Sequence, residues 1–298
     1  MSGQETYLER QRARVDTALA ACLPLEPQHP HRLVEAMRYS LLNGGKRIRP
    51  IVLLAACEAV GGAADRALPY ACAIEMIHAY SLIHDDLPAM DDDALRRGRP
   101  TNHVVFGEGL AILAGDALLT EAFHVLAQSA EHDPQPRRAL HAVREIAEAV
   151  GARGMVGGQA ADITAAGEAP DLATVEFIHV RKTGALLLAA VRAGAWIGGA
   201  RAAPLRRLTR YGECLGLAFQ IADDILDAEA PSSVTGKTEG RDGVLHKATF
   251  PAVLGLPAAK QRARELLAQA LAAVARFDER AEPLREIARF AVGRACEP

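Results

Sequence analysis

Helical periodicity is the feature that most restricts what this chain can fold into. Apolar residues recur at the spacing of a helix face along most of the 298 residues, and Ala and Leu, both strong helix formers, are abundant. No convincing run of alternating β-branched residues is present. Hydrophobic residues make up 50% of the chain, which is sufficient for a large buried core. The sequence therefore predicts an all-α fold.

The same periodicity indicates where the helices lie. Neither a linker nor a repeat of solenoid length separates them, so we expect a single domain over residues 1–298. The most hydrophobic segment, 185–200, is interrupted by Arg192 and is too short to span a membrane, so we expect a buried core helix there. The predicted helices cover residues 5–22, 31–42, 50–60, 65–86, 107–128, 135–150, 172–179, 184–198, 204–227, 251–255, 258–277 and 283–293.

Charge and cysteine content exclude several classes of protein. The net charge is −3, whereas a nucleic-acid-binding protein usually carries a strongly basic face. The 5 cysteines are scattered without a CxxC pair, which indicates reduced structural thiols rather than a zinc site. The charged N-terminal segment lacks the apolar core of a signal peptide. We therefore expect a cytoplasmic protein without a membrane span and without a nucleic-acid partner.

An acidic cluster follows a strongly apolar helical segment in the first third of the chain. Residues 84–93 read HDDLPAMDDD. Pro88 disfavours helical geometry at Leu87, so the helix should end or kink there. Several carboxylates then lie at a helix C-terminus, where the helix dipole is negative and only a cation offsets the repulsion. A single cluster of this kind is more often a solvated surface feature, so it needs independent support.

A second acidic cluster provides that support. Residues 223–227 read DDILD and also follow an apolar helical run. The spacing allows Asp223, Asp224 and Asp227 to lie on one helix face, where like charges repel one another. Two such clusters, each ending an apolar helix, favour a bound cation. Hard oxygen ligands without cysteine are typical of Mg²⁺, and neither cluster follows the EF-hand pattern of a calcium loop.

Two basic motifs accompany the acidic clusters. GGKRIRP occupies residues 44–50, and RRGRP follows the first acidic cluster at residues 96–100. The glycines permit close backbone approach, and Lys46 and Arg49 can converge on an anion near a helix N-terminus. Alternating acidic and basic groups suit a site that holds a diphosphate through metal and guanidinium together. We interpret Arg47 and Arg99 as surface or structural residues.

Three isolated lysines, Lys182, Lys237 and Lys247, are weak signals when each is taken alone. Lys237 lies in a TGKT segment that resembles part of a P-loop. The upstream glycine at the required spacing is absent and no strand precedes the segment, so we reject nucleotide binding.

Taken together, these motifs resemble those of bacterial farnesyl diphosphate synthases, members of the short-chain trans-prenyltransferase (polyprenyl synthetase) family. Residues 75–93 resemble the first aspartate-rich motif of that family, and residues 219–227 resemble the second. The blocks GGKRIRP, LRRGRPTNH, AILAGDALLT, RKTGALL, GKTEGRD and KATFPAVLGL are similar to the other family motifs and follow the family order. The resemblance implies the isoprenoid synthase fold, a bundle of long helices around a deep central cavity, usually as a homodimer.

The resemblance also implies roles for individual residues of this chain. The Mg²⁺ carboxylates would be Asp85, Asp86, Asp91, Asp223, Asp224 and Asp227. Isopentenyl diphosphate would be bound by Gly45, Lys46, Arg49, His78 and Arg97. The allylic diphosphate would be bound by Arg96, Lys182, Thr183, Gln220, Lys237 and Lys247. The residues expected to act directly on the departing diphosphate are Asp85, Asp86, Asp91, Arg96, Lys182, Asp223 and Lys247.

The chemistry that the resemblance implies is Mg²⁺-assisted ionisation of an allylic diphosphate, addition of isopentenyl diphosphate, and loss of a proton. Farnesyl diphosphate is the expected product. In the family, an aromatic residue five positions before the first aspartate blocks the cavity, and Tyr80 occupies that position. Helical geometry alone would instead align Ser81 with Asp85. Both residues are therefore candidates for control of chain length.

Alternative functions remain open from the sequence. A geranylgeranyl or longer-chain diphosphate synthase would carry the same motifs. A terpene cyclase shares the fold, but it normally pairs one DDxxD motif with an Asn/Ser/Glu metal motif. The second aspartate cluster, together with GGKRIRP, argues against a cyclase. A non-catalytic regulatory subunit of a heteromeric synthase usually loses its aspartate motifs, whereas both are intact here.

Overall fold

The structure, a computed structural model, describes residues 6–23, 30–165, 171–229 and 249–296. Helices account for nearly all of the regular structure in these ranges, which confirms the predicted all-α fold. The sheet found there is a short antiparallel pairing of β1 (Leu95–Arg96) with β2 (Arg99–Pro100). The α-helices are α1 (Tyr7–Cys22), α2 (His31–Leu41), α3 (Ile48–Ala59), α4 (Ala64–Asp85), α5 (Asn102–Phe106), α6 (Glu108–Glu131), α7 (Pro136–Val150), α8 (Met155–Ala165), α9 (Leu172–Ile178), α10 (Ala185–Ile197), α11 (Ala202–Glu229), α12 (Phe250–Leu254), α13 (Leu256–Ala273) and α14 (Glu282–Cys296).

All of the predicted helices are present, with ends that differ by a few residues. Two helices, α5 and α8, were not predicted. A π-helical turn, His179–Gly184, was also missed, and it joins α9 to α10 where the sequence indicated an interruption. Low helix propensity explains the omission of α8, because its first half contains two consecutive glycines. Tertiary packing therefore overrides local propensity at α8.

One of those glycines permits a close approach that positions the site. A Cβ atom on Gly158 would lie 2.2 Å from the backbone nitrogen of Lys182, a distance that no side chain can occupy. Gly158 is buried, so α8 packs directly against the backbone of the π-helical turn. The helix thus forms because a small residue lets two backbones meet.

The core is built around α3, α4 and α10. Residues 51–57 of α3 are completely or almost completely buried, and α10 buries most of its length, as its hydrophobicity predicted. The helix α4 contacts α3 and α6, whereas α10 contacts α3, α7 and α11, and α11 contacts α13. Cys57, Cys72 and Cys214 are buried and Cys22 is half-buried, and all four are free thiols. This packing fixes the ends of α4 and α11, where the aspartate clusters lie.

Within the described residues, α6 is long and apolar enough to cross a membrane by length and composition alone. It packs along α4 and α2 in this fold. One such helix is weak support for a membrane span, because core helices of other proteins pass the same test.

Candidate active site

Two adjoining cavities bring together most of the residues that the sequence selected. The first cavity, of about 380 Å³, lies between α4, α8 and the π-helical turn. The second cavity, of about 560 Å³, lies between α4, α11 and residues 45–49. Arg49, His78 and Leu82 line both, so the cavities meet at these side chains. The predicted residues that line only the first are Tyr80, Ser81, Asp85, Lys182 and Thr183. Those that line only the second are Gly45, Lys46, Arg96, Arg97, Gln220 and Asp223.

The C-terminus of α4 places the first aspartate cluster. The helix ends at Asp85, as Pro88 predicted. The backbone N–H of Asp91 then donates to the carbonyl oxygen of Asp85 at 2.9 Å, so the chain turns back and Asp91 lies beside the helix end. Burial raises the pKa of Asp85 to about 6; Lys182 opposes this rise and Asp91 adds to it. Asp85 is thus a half-buried acid close to a second acid.

Asp86 has a different environment from its neighbour. Its carboxylate accepts hydrogen bonds from Arg96 Nε at 2.8 and 2.9 Å, and Arg96 Nη2 lies 2.6 Å from Oδ1. The Asp86 side chain is only 4% exposed. Burial raises the pKa of Asp86, although the hydrogen bond from Arg96 acts in the opposite direction. Two residues that were predicted to bind metal and substrate are therefore bound to each other.

The second aspartate cluster divides in the same way. Asp223 lines the second cavity, and burial raises its pKa to about 6, with Lys46 opposing the rise and Asp227 adding to it. The carboxylate of Asp224 instead lies 2.7 Å from His179 Nε2 and accepts a hydrogen bond from the Phe250 N–H at 3.0 Å. Asp227 is exposed. The three carboxylates lie within one turn of α11, and both Asp227 and Asp224 act electrostatically on Asp223, but the three side chains differ in exposure and in hydrogen-bond partners.

The remaining carboxylates fit a Mg²⁺ site of the kind that substrate completes. In the ranges that the structure describes, no group of three or more His, Cys, Asp and Glu side chains is close enough to hold a metal alone. Asp85 and Asp223 are half-buried acids whose raised pKa values indicate that a nearby cation would stabilise their charged forms. Mg²⁺ is typically held by one or two carboxylates plus water and substrate phosphates. Asp85, with Asp91 beside it, lines the first cavity and Asp223 lines the second, so these are the carboxylates that would hold Mg²⁺ together with a bound diphosphate.

Basic groups surround the junction of the two cavities. The Arg49 Nε atom is buried and has no hydrogen-bond partner among the described residues, and burial lowers the pKa of Arg49. Arg97 donates to the carbonyl oxygen of Gly44, and a Cβ atom on Gly45 would lie 2.6 Å from Arg97 Nη1. Gly45 also has a φ of +128°, which disfavours other residues. A buried guanidinium nitrogen without a partner is what an incoming anion would satisfy.

Arg47 is a structural residue, one of the two roles that the sequence left open for it. Its side chain is 2% exposed and lies 2.6 Å from Glu75 and 2.8 Å from Asp16, and it donates to the Leu41 carbonyl oxygen at 2.8 Å. The network ties residues 44–47 to α1 and α4. Arg99 is exposed, bonds Asn43 at 3.2 Å and lies over the ring of Tyr39, so it is a surface residue.

The other predicted substrate residues lie around the cavity walls. Burial lowers the pKa of His78 well below its ordinary value, and Arg49 and Arg97 add to the effect, so its ring is neutral at neutral pH. Lys182 Nζ lies 2.7 Å from Asp162 Oδ2 at the first cavity. Thr183 and Gln220 line the first and the second cavity respectively. Lys237 and Lys247 lie outside the described residues.

Both chain-length candidates line the first cavity. The Tyr80 ring packs edge-on to His84 with centroids 5.7 Å apart, and its buried hydroxyl has no hydrogen-bond partner in the described part of the chain. The Ser81 hydroxyl donates to the His78 carbonyl oxygen at 2.9 Å. Tyr80 is the bulkier of the two and presents an aromatic wall to the cavity.

Sequence reasoning missed several residues of the site. Apolar side chains of α8, Met155, Val156 and Ile163, line the first cavity, and Asp162 binds Lys182. The helical spacing of these four residues could have identified them. No local signal could have paired His179 with Asp224, because the two residues are 45 positions apart.

Comparisons with known proteins agree with this arrangement. A geranylgeranyl pyrophosphate synthase from Capsicum annuum chloroplasts is 48% identical over 286 residues, covering 95% of this chain and 77% of that protein. A farnesyl diphosphate synthase from Geobacillus stearothermophilus is 50% identical over 258 residues, covering 87% of this chain and 86% of that protein. The crystal structure of an apo FPP/GFPP synthase from Zymomonas mobilis superimposes with a TM-score of 0.85 at 42% identity, covering 96% of this chain and 97% of that chain.

The family assignment follows from these similarities. The described fold is that of isoprenyl diphosphate synthases, and relatives named for different product lengths match over nearly the whole chain. The polyprenyl synthetase family matches residues 30–287. The chain therefore belongs to the polyprenyl synthetase family and is a prenyltransferase of isoprenoid synthesis.

Proposed function

We propose that this protein condenses isopentenyl diphosphate with dimethylallyl and geranyl diphosphate to give farnesyl diphosphate. The observation that carries the proposal is the placement of Asp85 and Asp223 in two adjoining cavities that share Arg49. The first cavity is lined mainly by apolar groups of α4 and α8 beyond Asp85 and Lys182, which suits a prenyl tail with its diphosphate at the mouth. The second cavity is rich in basic groups, which suits isopentenyl diphosphate.

The side chains supply binding and orientation for the reaction. Lys182 and Thr183 hold the allylic diphosphate at the mouth of the first cavity, while Lys46, Arg49 and Arg97 hold isopentenyl diphosphate in the second. Mg²⁺ bound by Asp85, Asp91 and Asp223 would neutralise the departing diphosphate. Arg96 reaches the same diphosphate when it exchanges its bond to Asp86, and Lys237 and Lys247 complete the allylic site in this proposal.

The bonds change in three steps. The allylic C–O bond breaks and its electron pair leaves with the diphosphate. The double bond of isopentenyl diphosphate then attacks the allylic cation and forms the new C–C bond. The addition leaves a cation on the former isopentenyl unit. A carbon next to that cation then loses a proton to the released diphosphate, which acts as the base, and a double bond forms. The apolar walls of the first cavity exclude water, which would otherwise trap the cation.

Geranylgeranyl diphosphate is a second candidate product. Relatives of both kinds match this chain, at 48% identity for the geranylgeranyl enzyme and 50% for the farnesyl enzyme. We favour farnesyl diphosphate because Tyr80 presents a bulky ring to the cavity that holds the tail. A homodimer, a cytoplasmic location and a single domain over the whole chain belong to the same proposal.

Product analysis tests the proposal. Purified protein is incubated with Mg²⁺, isopentenyl diphosphate and, in separate reactions, dimethylallyl, geranyl or farnesyl diphosphate, and the products are identified by chromatography. We expect farnesyl diphosphate from the first two primers and little extension of the third. Efficient extension of farnesyl diphosphate would instead establish the longer product, and failure to extend any primer would refute the activity. Size-exclusion chromatography with light scattering measures the oligomeric state.

A further inference from the structure

The N-terminal helix α1 is fixed on the body of the protein along its length. Val15 and Leu19 are completely buried in the core. At the start of the helix, the Tyr7 hydroxyl donates to Glu58 of α3 at 2.6 Å. Further along, Asp16 lies 2.8 Å from Arg47, the residue that anchors the GGKR segment. The backbone of α1 is therefore held at a defined position beside the second cavity.

Arg12 is the residue of α1 that lines the second cavity. It lies between the two anchors of the helix, Tyr7 and Asp16. The same cavity is lined by Lys46, Arg49 and Arg97, which come from a different part of the chain. A cation from the N-terminal helix thus joins the basic wall of the cavity, and none of the sequence motifs indicated it.

The charges on the cavity wall show which cations remain available for a ligand. Arg47 is neutralised by Glu75 and Asp16, and Arg96 is neutralised by Asp86. Glu9, one turn earlier on α1, is an exposed carboxylate that Arg12 influences electrostatically, and its Oε2 is hydrogen-bonded by the N–H and the hydroxyl of Thr6 at 2.9 Å. Glu9 does not line the second cavity. The cavity therefore has more positive charge than its own carboxylates offset, and Arg12 is part of that excess.

We propose that Arg12 is a further substrate-binding residue whose guanidinium contacts the diphosphate of isopentenyl diphosphate in the second cavity. The inference rests on the proposed function, which assigns that cavity to isopentenyl diphosphate. Arg12 is exposed, so it acts at the mouth of the cavity, where it attracts the diphosphate and holds its outer oxygens. It affects binding of this substrate and takes no part in ionisation of the allylic one.

Steady-state kinetics with each substrate varied in turn test the role. The variants are Arg12→Ala and Arg12→Lys, with Arg10→Ala as the matched control, because Arg10 is an exposed arginine of the same helix that does not line the cavity. For Arg12→Ala we expect the KM for isopentenyl diphosphate to rise by about five- to tenfold, as for loss of one charge-assisted contact. The kcat and the KM for the allylic primer should stay within about twofold of the wild type, since the first cavity is unchanged.

Two further results belong to the same experiment. Arg12→Lys should recover part of the lost affinity because the charge is kept, and Arg10→Ala should behave as the wild type. Calorimetric titration of isopentenyl diphosphate into the protein should show the same weakening, which separates binding from turnover. An unchanged KM for isopentenyl diphosphate in Arg12→Ala, or an equal rise in both KM values, would overturn the role of Arg12. Absence of any product with the wild type would instead refute the proposed function itself.

Discussion

The buried ion pair between Arg47 and Glu75 should support both the stability of the protein and the binding of isopentenyl diphosphate. The two side chains are 2% and 4% exposed, and their closest atoms are 2.6 Å apart. Arg47 adopts a left-handed backbone conformation, with φ of 50°, immediately before α3. Arg47 and Glu75 line the second cavity themselves, together with the neighbouring Lys46 and Arg49. Replacing Glu75 with Ala therefore removes a contact that positions two proposed ligands of the diphosphate.

The size of the stability loss depends on the contacts that Arg47 keeps after Glu75 is replaced. Removing one partner of a buried ion pair typically costs about 3–5 kcal/mol. Arg47 would keep Asp16 at 2.8 Å and the Leu41 carbonyl oxygen at 2.8 Å, so its charge is not left alone. We therefore expect Glu75→Ala to lower the free energy of unfolding by about 3 kcal/mol. Glu75→Gln keeps an acceptor at the same place and should cost about 1–2 kcal/mol.

Chemical denaturation followed by circular dichroism measures the stability, and initial rates measure the KM for isopentenyl diphosphate. We expect that KM to rise in the order wild type, Glu75→Gln, Glu75→Ala, with a smaller change for the allylic primer. Glu145→Ala is the control, at a pair that is less buried than Arg47–Glu75. It breaks a pair with Arg192 at 2.6 Å between α7 and α10, away from both cavities. The control should lose stability while retaining both KM values.

Two results would contradict this reasoning. If the free energy of unfolding of Glu75→Ala lies within about 0.5 kcal/mol of the wild-type value, the buried pair does not contribute the stability that its geometry implies. If Glu75→Ala and Glu145→Ala raise the KM for isopentenyl diphosphate equally, the effect arises from general destabilisation and Glu75 has no positioning role.

Three other outcomes are expected. Asp85→Ala and Asp223→Ala should each reduce kcat by at least about a hundredfold with Mg²⁺ present. Each variant lacks a proposed ligand of the ion that neutralises the departing diphosphate. Near-normal turnover of either variant would refute that role. Tyr80→Ala should lengthen the product by opening the first cavity, and an unchanged product spectrum by chromatography would argue against that function. Burial raises the pKa values of Asp85 and Asp223 from 3.8 to about 6. At a pH between these two pKa values, the folded state therefore binds more protons than the unfolded state. The melting temperature of metal-free protein should therefore fall as the pH rises from about 4 to 6, and less so in the double variant Asp85→Asn, Asp223→Asn; equal pH dependence of the two proteins would refute the assigned pKa values.

Local signals were sufficient where chemistry and geometry act within a few residues. Pro88 predicted the end of α4 because a proline excludes helical geometry at the preceding residue, and α4 ends at Asp85. The hydrophobicity of segment 185–200 predicted a buried helix, which is α10. The helix α8 was missed because its glycines have low propensity, although Gly158 is what allows α8 to pack on the π-helical turn.

The sequence by itself determined the helical class, the two aspartate clusters and the basic motifs, because periodicity and residue type are local properties. Only the tertiary structure decided which carboxylate of each cluster lines the two adjoining cavities. Asp85 and Asp223 do so, whereas Asp86 is bound by Arg96 and Asp224 lies against His179 and Phe250. Helical spacing fixes the angle between side chains on one helix, but the partner that each side chain meets depends on how distant segments pack.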